Sequence, residues 1–204
     1  MSVVHLIDTV TAWARQNISE QVRLKMPPEN AEANDAGYDY KLVTPATFAV
    51  YTPTSDKLPP RVQSPFPSLC VRILSGEDNL ASGSGTAEVQ FCFSAWDPGL
   101  HDKDYFWPVK DQPGVWHQGN GSEDFTRGGE GWRDAWNFVD VALRALESVI
   151  QIDSYMIDRS QHIKYGPLTE QESIPDFYPF WFAWVSFKIN YSLVRNVEDF
   201  QKFL

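Results

Sequence analysis

The residues best suited to chemistry in this sequence sit in one short run. His101, Asp102, Lys103 and Asp104 follow closely after Asp97, bringing an imidazole, three carboxylates and an ammonium together. Oxygen ligands at alternating positions can hold calcium, but a calcium loop needs several carboxylates in a defined turn. An imidazole beside a carboxylate can move protons, provided a nucleophile lies within hydrogen-bond reach. The competing reading is a solvated loop tip, since surface loops are commonly this polar, and that reading fits the run better. His5 and His162 stand alone, and His117 lies among aromatic residues with no evident partner.

Other motifs add little. A phosphate-binding glycine loop, a Gly-x-Ser-x-Gly elbow and a His-Glu-x-x-His helix are all missing from the sequence. Gly83-Ser84-Gly85 falls in a polar turn and lacks the fingerprint of nucleotide binding. Cys70 and Cys92 occupy separate strand-like runs and read as two free, buried thiols, because no close Cys or His accompanies them. We therefore expect no catalytic residue, no cofactor and no metal, and a chain that is not an enzyme.

The eight tryptophans are more informative. Trp13, Trp132 and Trp136 fall on helical stripes, where core packing explains them. Trp96, Trp107, Trp116, Trp181 and Trp184 fall near loops or strand ends. Sugar stacking and a subunit interface both use such tryptophans; the enrichment of Trp and Tyr at interfaces favours the second.

The elements that must position these residues alternate between the two standard periods. Val3, Leu6, Ile7, Val10, Trp13, Ala14 and Ile18 recur at helical spacing over residues 3–25, up to Pro27-Pro28. Residues 29–37 read as an acidic loop. Residues 38–43 and 47–51, punctuated by Pro45 and Pro53, read as edge strands or an extended arm. Five prolines make 52–67 a loop. Strand 69–74 follows, and 75–85 reads as a wide hairpin connection. In 88–95, Val89, Phe91, Phe93 and Ala95 face the core, with Glu88, Gln90 and Ser94 outward.

Residues 97–131 show no period and read as a long aromatic loop, a binding arm. Trp132, Trp136, Val139, Ala142, Leu143, Leu146, Val149 and Ile150 predict a helix over 132–152. Residues 154–157 and 161–165 read as short strands, and 166–179 as loop. Residues 181–193 alternate for thirteen positions, with Ala183, Val185, Phe187 and Ile189 on one face. Phe182 and Trp184 interrupt the polar face and call for a loop, an arm or another subunit to cover them. A short helix is expected over 197–204.

Composition sets the outer bounds. The 204 residues are 43% hydrophobic and 22% charged, enough to bury the core of a single domain, here taken as 1–204 with an extended arm at 38–67 and the insertion at 97–131. The expected class is α+β: a mixed, mainly antiparallel sheet packed against two principal helices. No run is long and apolar enough to cross a bilayer as a helix, and the first residues lack the pattern of a secretory signal, so a cytoplasmic origin is expected. The net charge is −10, with 27 acidic against 17 basic residues and no basic cluster visible, which argues against sequence-specific nucleic-acid binding. An acidic surface instead suits a protein past which DNA slides without sticking.

Three segments in this order resemble a known family. Pro65-Phe66-Pro67-Ser68-Leu69-Cys70-Val71-Arg72 precedes Val89-Gln90-Phe91-Cys92-Phe93-Ser94-Ala95-Trp96, and then Gly131-Trp132-Arg133-Asp134-Ala135-Trp136-Asn137-Phe138-Val139. Together they resemble the tail-terminator and tail-completion proteins of tailed bacteriophages, over roughly residues 65–195. The resemblance implies a virion structural protein that forms a ring, commonly of six subunits, at the tail or neck. Such a ring caps the tail tube, stops its polymerisation and joins it to the head. The partners implied are further copies of itself, the tail tube protein and a head-completion or neck protein. Assembly in the host cytoplasm would precede incorporation into the virion. Tyr51, Phe106, Trp107, Trp116, Phe182 and Trp184 are the expected interface residues. A head-completion protein of the same class is one alternative. A carbohydrate-binding or hydrolytic protein using the 97–131 loop, with His101, Asp102 and Asp104, is another.

Overall fold

The computed structural model describes residues 3–27, 41–100, 106–108, 116–118, 126–127, 131–169, 173–175 and 177–193. The chain runs α1 (Val3–Asn17), β1 (Leu24–Met26), β2 (Lys41–Val43), β3 (Ala46–Ala49), β4 (Ser68–Asn79) and β5 (Ser84–Trp96). It continues through β6 (Gly99–Leu100), β7 (Phe106–Pro108), β8 (Trp116–Gln118), β9 (Thr126–Arg127) and α2 (Trp132–Glu147). The last elements are β10 (Gln151–Ile152), β11 (Tyr155–Ile157), β12 (Lys164–Pro167) and β13 (Phe180–Ser192). This is an α+β fold. Its main sheet has the order β10-β11-β13-β5-β4-β3, with β12 also paired to β13. Every pairing in that sheet is antiparallel except β3 with β4.

The strict alternation of 180–192 decides where the core lies. β13 and β5 pair in unbroken register from Phe180↔Trp96 to Ser192↔Ser84. Ala183, Val185, Phe187 and Ile189 therefore share a face with Val89, Phe91, Phe93 and Ala95, and all eight are buried. The two helices close over that face. Leu6, Val10 and Ala14 come from α1, and Ala135, Phe138, Val139, Ala142 and Leu146 from α2. Phe93 meets Phe138 at 4.8 Å between ring centroids, and Phe91 meets Phe187 edge-on at 5.1 Å.

Both helices end earlier than their apolar stripes predict. α1 stops at Asn17, whose side-chain amide donates to Trp13 O at 2.9 Å. A 3₁₀ turn at Ser19–Gln21 and strand β1 occupy the rest of the expected helix. α2 stops at Glu147, because Arg159 donates to Glu147 O (3.0 Å) and Val149 O (2.8 Å), supplying donors to carbonyls at the helix end. Its buried face is also rotated from expectation: Ala135 and Phe138 are buried, while Trp132 is 42% exposed; Ile150, expected on the same stripe, lies beyond the helix end and is 66% exposed.

Two loop expectations also change. The connection expected over 75–85 is mostly strand: β4 and β5 run on as a polar ribbon past the helices and turn only at residues 80–83, where Gly83 takes φ +65°. The 97–131 segment holds two nested antiparallel pairs, β6 with β9 and β7 with β8, and so contains hairpin pairing rather than loop alone. β3 is the edge strand expected of its proline-flanked sequence. The expected helix at 197–204, the acidic loop at 29–37 and residues 38–40 lie outside the described residues.

The face turned away from the helices is largely polar and partly covered: Arg72 and Lys188 are exposed, but the residues between them are not. Gln90 and Ser94, expected to face water, are buried, as are Ser68 and Ser186. Their groups pair across strands: Ser68 with Ser94 at 2.7 Å, Arg72 Nε to Gln90 Oε1 at 2.7 Å, and Ser186 Oγ to Glu88 Oε1 at 3.0 Å. Cys70 and Cys92 are register partners on this face and both are free thiols, Cys70 buried and Cys92 half-buried. Burial pushes Cys70 up to about 11 and raises Cys92 as well, so both stay protonated and weakly nucleophilic at neutral pH.

Candidate interaction site

The site begins where the 97–131 arm leaves the sheet and returns to α2. Asp97 and Gly131 mark the two ends, and they touch: a Cβ on Gly131 would collide with Asp97 O and with Trp181 Nε1. Glycine is required there for close approach, since its own φ of −60° is open to any residue. Trp181 Nε1 donates to Asp97 O at 2.8 Å, Asp97 N donates to Pro179 O at 3.0 Å, and Tyr178 Oη donates to Pro98 O at 2.5 Å. The arm is thus tied at its root to the start of β13 and the residues just before it.

A charged cluster sits under this root. Lys25 Nζ lies 2.9 Å from Asp97 Oδ1, with both side chains largely buried (16% and 12% exposed). Asp134, in the first turn of α2, is close enough to feel both. Burial first, and the Asp97 carboxylate second, push Asp134 up to about 6, with Lys25 pulling the other way. Asp97 therefore does not belong to a solvated loop tip; the fold draws it into the protein against Lys25, 72 residues earlier in the chain.

Beside the root lies an apolar cavity of about 430 Å³, walled by α2, by Pro167, Leu168, Ile174, Pro175 and Phe177, and by the start of β13. Trp132, Leu168, Ile174 and Phe177 line it and remain 42%, 41%, 70% and 46% exposed. Trp136, Trp181 and Phe182 form its deeper wall and are half-buried. The Arg133 guanidinium stands 4.9 Å over the Trp132 ring. Trp132, expected as a core residue, instead lies exposed in this groove, while Trp136 both lines the groove and packs against the core as expected; Phe138 and Ala135 are the residues of this turn that point fully inward.

The expected interface residues are dispersed. Phe182 faces the groove and meets Phe66 at 6.1 Å and Phe177 at 5.6 Å. Trp184 is half-buried, its Nε1 donating to Pro167 O at 2.9 Å. Loops of this same chain therefore cover much of that aromatic pair. Tyr51 is 68% exposed at the far edge of the sheet. It follows Val50, whose φ of 71° closes a three-residue turn through Tyr51 N to Ala49 O at 2.8 Å, an uncommon conformation for a β-branched residue. Phe106, Trp107 and Trp116 lie on the paired strands β7 and β8, where Trp107 is the register partner of His117 and Trp116 of Pro108. Residues 101–104, the first candidate for chemistry, lie outside the described residues.

His5 and His162 stand apart from each other and from the groove. His5 Nδ1 shares a hydrogen bond of 2.9 Å with Tyr155 Oη, and burial pushes Tyr155 up to about 12. His162 is exposed. Among the described residues, no three His, Cys, Asp or Glu side chains gather as metal ligands, and no helix is long and apolar enough to cross a membrane. One grouping escaped the sequence because its members are far apart: Arg15, Arg23 and Arg61 line a second cavity of about 620 Å³, with Glu20 beside Arg15. No protein-family model matches the chain, and no curated protein matches it.

Sequence reasoning missed Lys25, Leu168, Ile174 and Phe177. A signal for the last two was present. Ile174, Phe177, Tyr178 and Phe180 crowd a segment whose prolines mark it as loop, and loops seldom spend four large apolar residues without an object.

Proposed function

We propose that this protein works by assembly rather than catalysis, as a ring-forming virion structural protein of the tail-terminator kind. One observation carries the reading: an aromatic groove left open at the foot of a hairpin-bearing arm. A contiguous, exposed apolar patch on a folded chain marks a surface that another molecule covers. Trp, Tyr and Phe at the centre of such a patch are the residues that anchor protein–protein contacts. The groove's lining offers few polar groups to satisfy sugar hydroxyls, which favours a protein occupant over a carbohydrate. The order of sequence segments that resembles tail terminators supplies the specific role: capping the tail tube, ending its growth and presenting a surface to the head or neck. A head-completion protein of the same fold class would use the groove in the same way.

Imaging the protein mixed with tail tubes tests the role. Extra density confined to the head-proximal end is the expected result. Uniform decoration along the tube, or no binding to tubes, would defeat termination.

A further inference from the structure

The second cavity gathers positive charge that the sequence scatters. Arg15 comes from the last turn of α1, Arg23 immediately precedes β1, and Arg61 belongs to the loop before β4, yet all three line one space of about 620 Å³. Local geometry places each of them. The pairing of Leu24 with Val43 sets Arg23 opposite Thr44, and Arg23 Nη1 donates to Thr44 Oγ1. Val62 N donates to Pro59 O at 2.9 Å, closing a turn in which Pro60 takes the first corner and Arg61 the second. Thr47 Oγ1 donates to Ser19 Oγ at 2.8 Å, which ties β3 to the 3₁₀ turn that follows α1.

A single carboxylate of the lining faces these three guanidiniums. Glu20 Oε1 lies 3.6 Å from Arg15 Nε, and with 70% and 49% of the Arg15 and Glu20 side chains exposed the pair is weak and readily exchanged. Arg23 and Arg61 have no ion-pair partner among the described residues, although acidic residues outnumber basic ones by 27 to 17 in this chain. Two hydroxyls of the same wall add donors. Thr44 Oγ1 accepts from Arg23, and Ser64 Oγ accepts from Phe66 N at 3.1 Å, so each keeps its hydrogen for a further acceptor. Guanidinium forks and hydroxyl donors around one space match a ligand group made only of acceptors, as a phosphate is. A bare phosphate fills a small part of the space, whose volume falls within the range of roughly 300–1,000 Å³ typical of small-molecule sites. Met26, Val43 and Phe66 give the rest of the wall an apolar surface.

We propose that this cavity binds a small organic phosphate: Arg15, Arg23 and Arg61 hold the phosphate, and the organic part lies against Met26, Val43 and Phe66. The bound anion offsets the mutual repulsion of the three cations, and Arg15 exchanges Glu20 for the ligand. The cavity shares no lining residue with the aromatic groove, so the proposal stands apart from the assembly reading.

Calorimetric titration of the full chain with adenosine monophosphate and with glucose 6-phosphate tests it, with adenosine and glucose as the same bodies lacking the phosphate. Saturable binding of at least one ester is expected, its phosphate-free counterpart binding about tenfold more weakly or worse. Arg23→Gln and Arg61→Gln, each checked by its melting curve to be folded like the parent, should each weaken that ester about tenfold or more. Arg23→Lys keeps the charge and loses the fork, and should weaken it less than Arg23→Gln does. Failure of both esters to bind, or unchanged affinity in both glutamine variants, would overturn the site. Three further titrations separate other anions. Inorganic phosphate binding as tightly as the esters would overturn the role given to the organic part. Hexaglutamate binding where the esters do not would overturn the phosphate and make the cavity a dock for an acidic protein segment. A twelve-nucleotide single strand of DNA binding more tightly than either ester, and weakened equally by the same variants, would overturn the small ligand and assign the phosphate to nucleic acid.

Discussion

Two regions of this molecule are built from the same materials to opposite ends. Under the helices, Phe91, Phe93 and Phe138 are at most 1% exposed, and their rings interlock between the sheet and α2. At the foot of the arm, Trp132, Ile174 and Phe177 are no less apolar, yet 42–70% of their surface is open. In the first region every apolar surface found its partner during folding. In the second, on the assembly reading proposed above, the partner is supplied from outside. The difference separates residues that stabilise the chain from residues that recognise something, and it can be tested by substitution.

The largest effect should come from the closed region. Phe138→Ala removes a ring from a close-packed site that cannot collapse, and should cost about 3–5 kcal/mol in urea unfolding. A loss near 1 kcal/mol would mean that the interior is loosely packed and the contrast false. Next comes the ion pair at the arm's root. Lys25→Ala leaves Asp97 and Asp134 facing each other with their cation gone, and should cost about 2 kcal/mol at neutral pH, less than a fully buried pair because both partners keep some solvent contact. Part of that loss should return on acidification, as Asp134 takes up a proton.

Asp134 itself gives a smaller effect of opposite sign. Its carboxyl titrates near 6 in the folded chain, above its ordinary 3.8, so the folded state binds this proton more tightly than the unfolded state does. The associated stability is fully present below about pH 4 and is lost as pH rises through about 6. Asp134→Asn should therefore stabilise the protein at pH 8, by about 1 kcal/mol once the favourable interaction of a carboxylate with the first helical turn is given up. The gain should vanish below about pH 4, and thermal unfolding across pH reads both halves. The smallest effect belongs to the open region: Ile174→Ser should shift folding stability by less than about 0.5 kcal/mol, as for any exposed position. A larger loss would place Ile174 in the core after all.

How much of this could be read from the sequence depended on distance along the chain. The alternation of 181–193 gave β13 and its buried face, since a shift of one residue would have inverted thirteen side chains. The existence of α2 was equally plain, but its rotation was not. Trp132, Trp136 and Ile150 look as buried as Phe138 on a stripe, and only packing against β5 and β13 decides which residues turn inward. The ribbon at 75–86 was hidden by its polarity, because strands extending beyond the core need no apolar alternation. The ion pair of Lys25 with Asp97 and the gathering of Arg15, Arg23 and Arg61 join residues remote in sequence, and no local pattern marks them. The groove fell between these cases. Its tryptophans were legible as residues, whereas their meeting with Pro167, Leu168, Ile174, Pro175 and Phe177 required the fold.

The central claim is that the open groove is where a neighbouring molecule is held. Sedimentation mass, measured on the full chain and on Phe177→Asp at matched concentrations, tests it most directly, with a melting curve to show that both are equally folded. The account predicts that the parent sediments as a multimer and that the variant falls to the 23.3 kDa of a single chain with its melting temperature unchanged. Equal masses for a multimeric parent and an equally folded variant would contradict it.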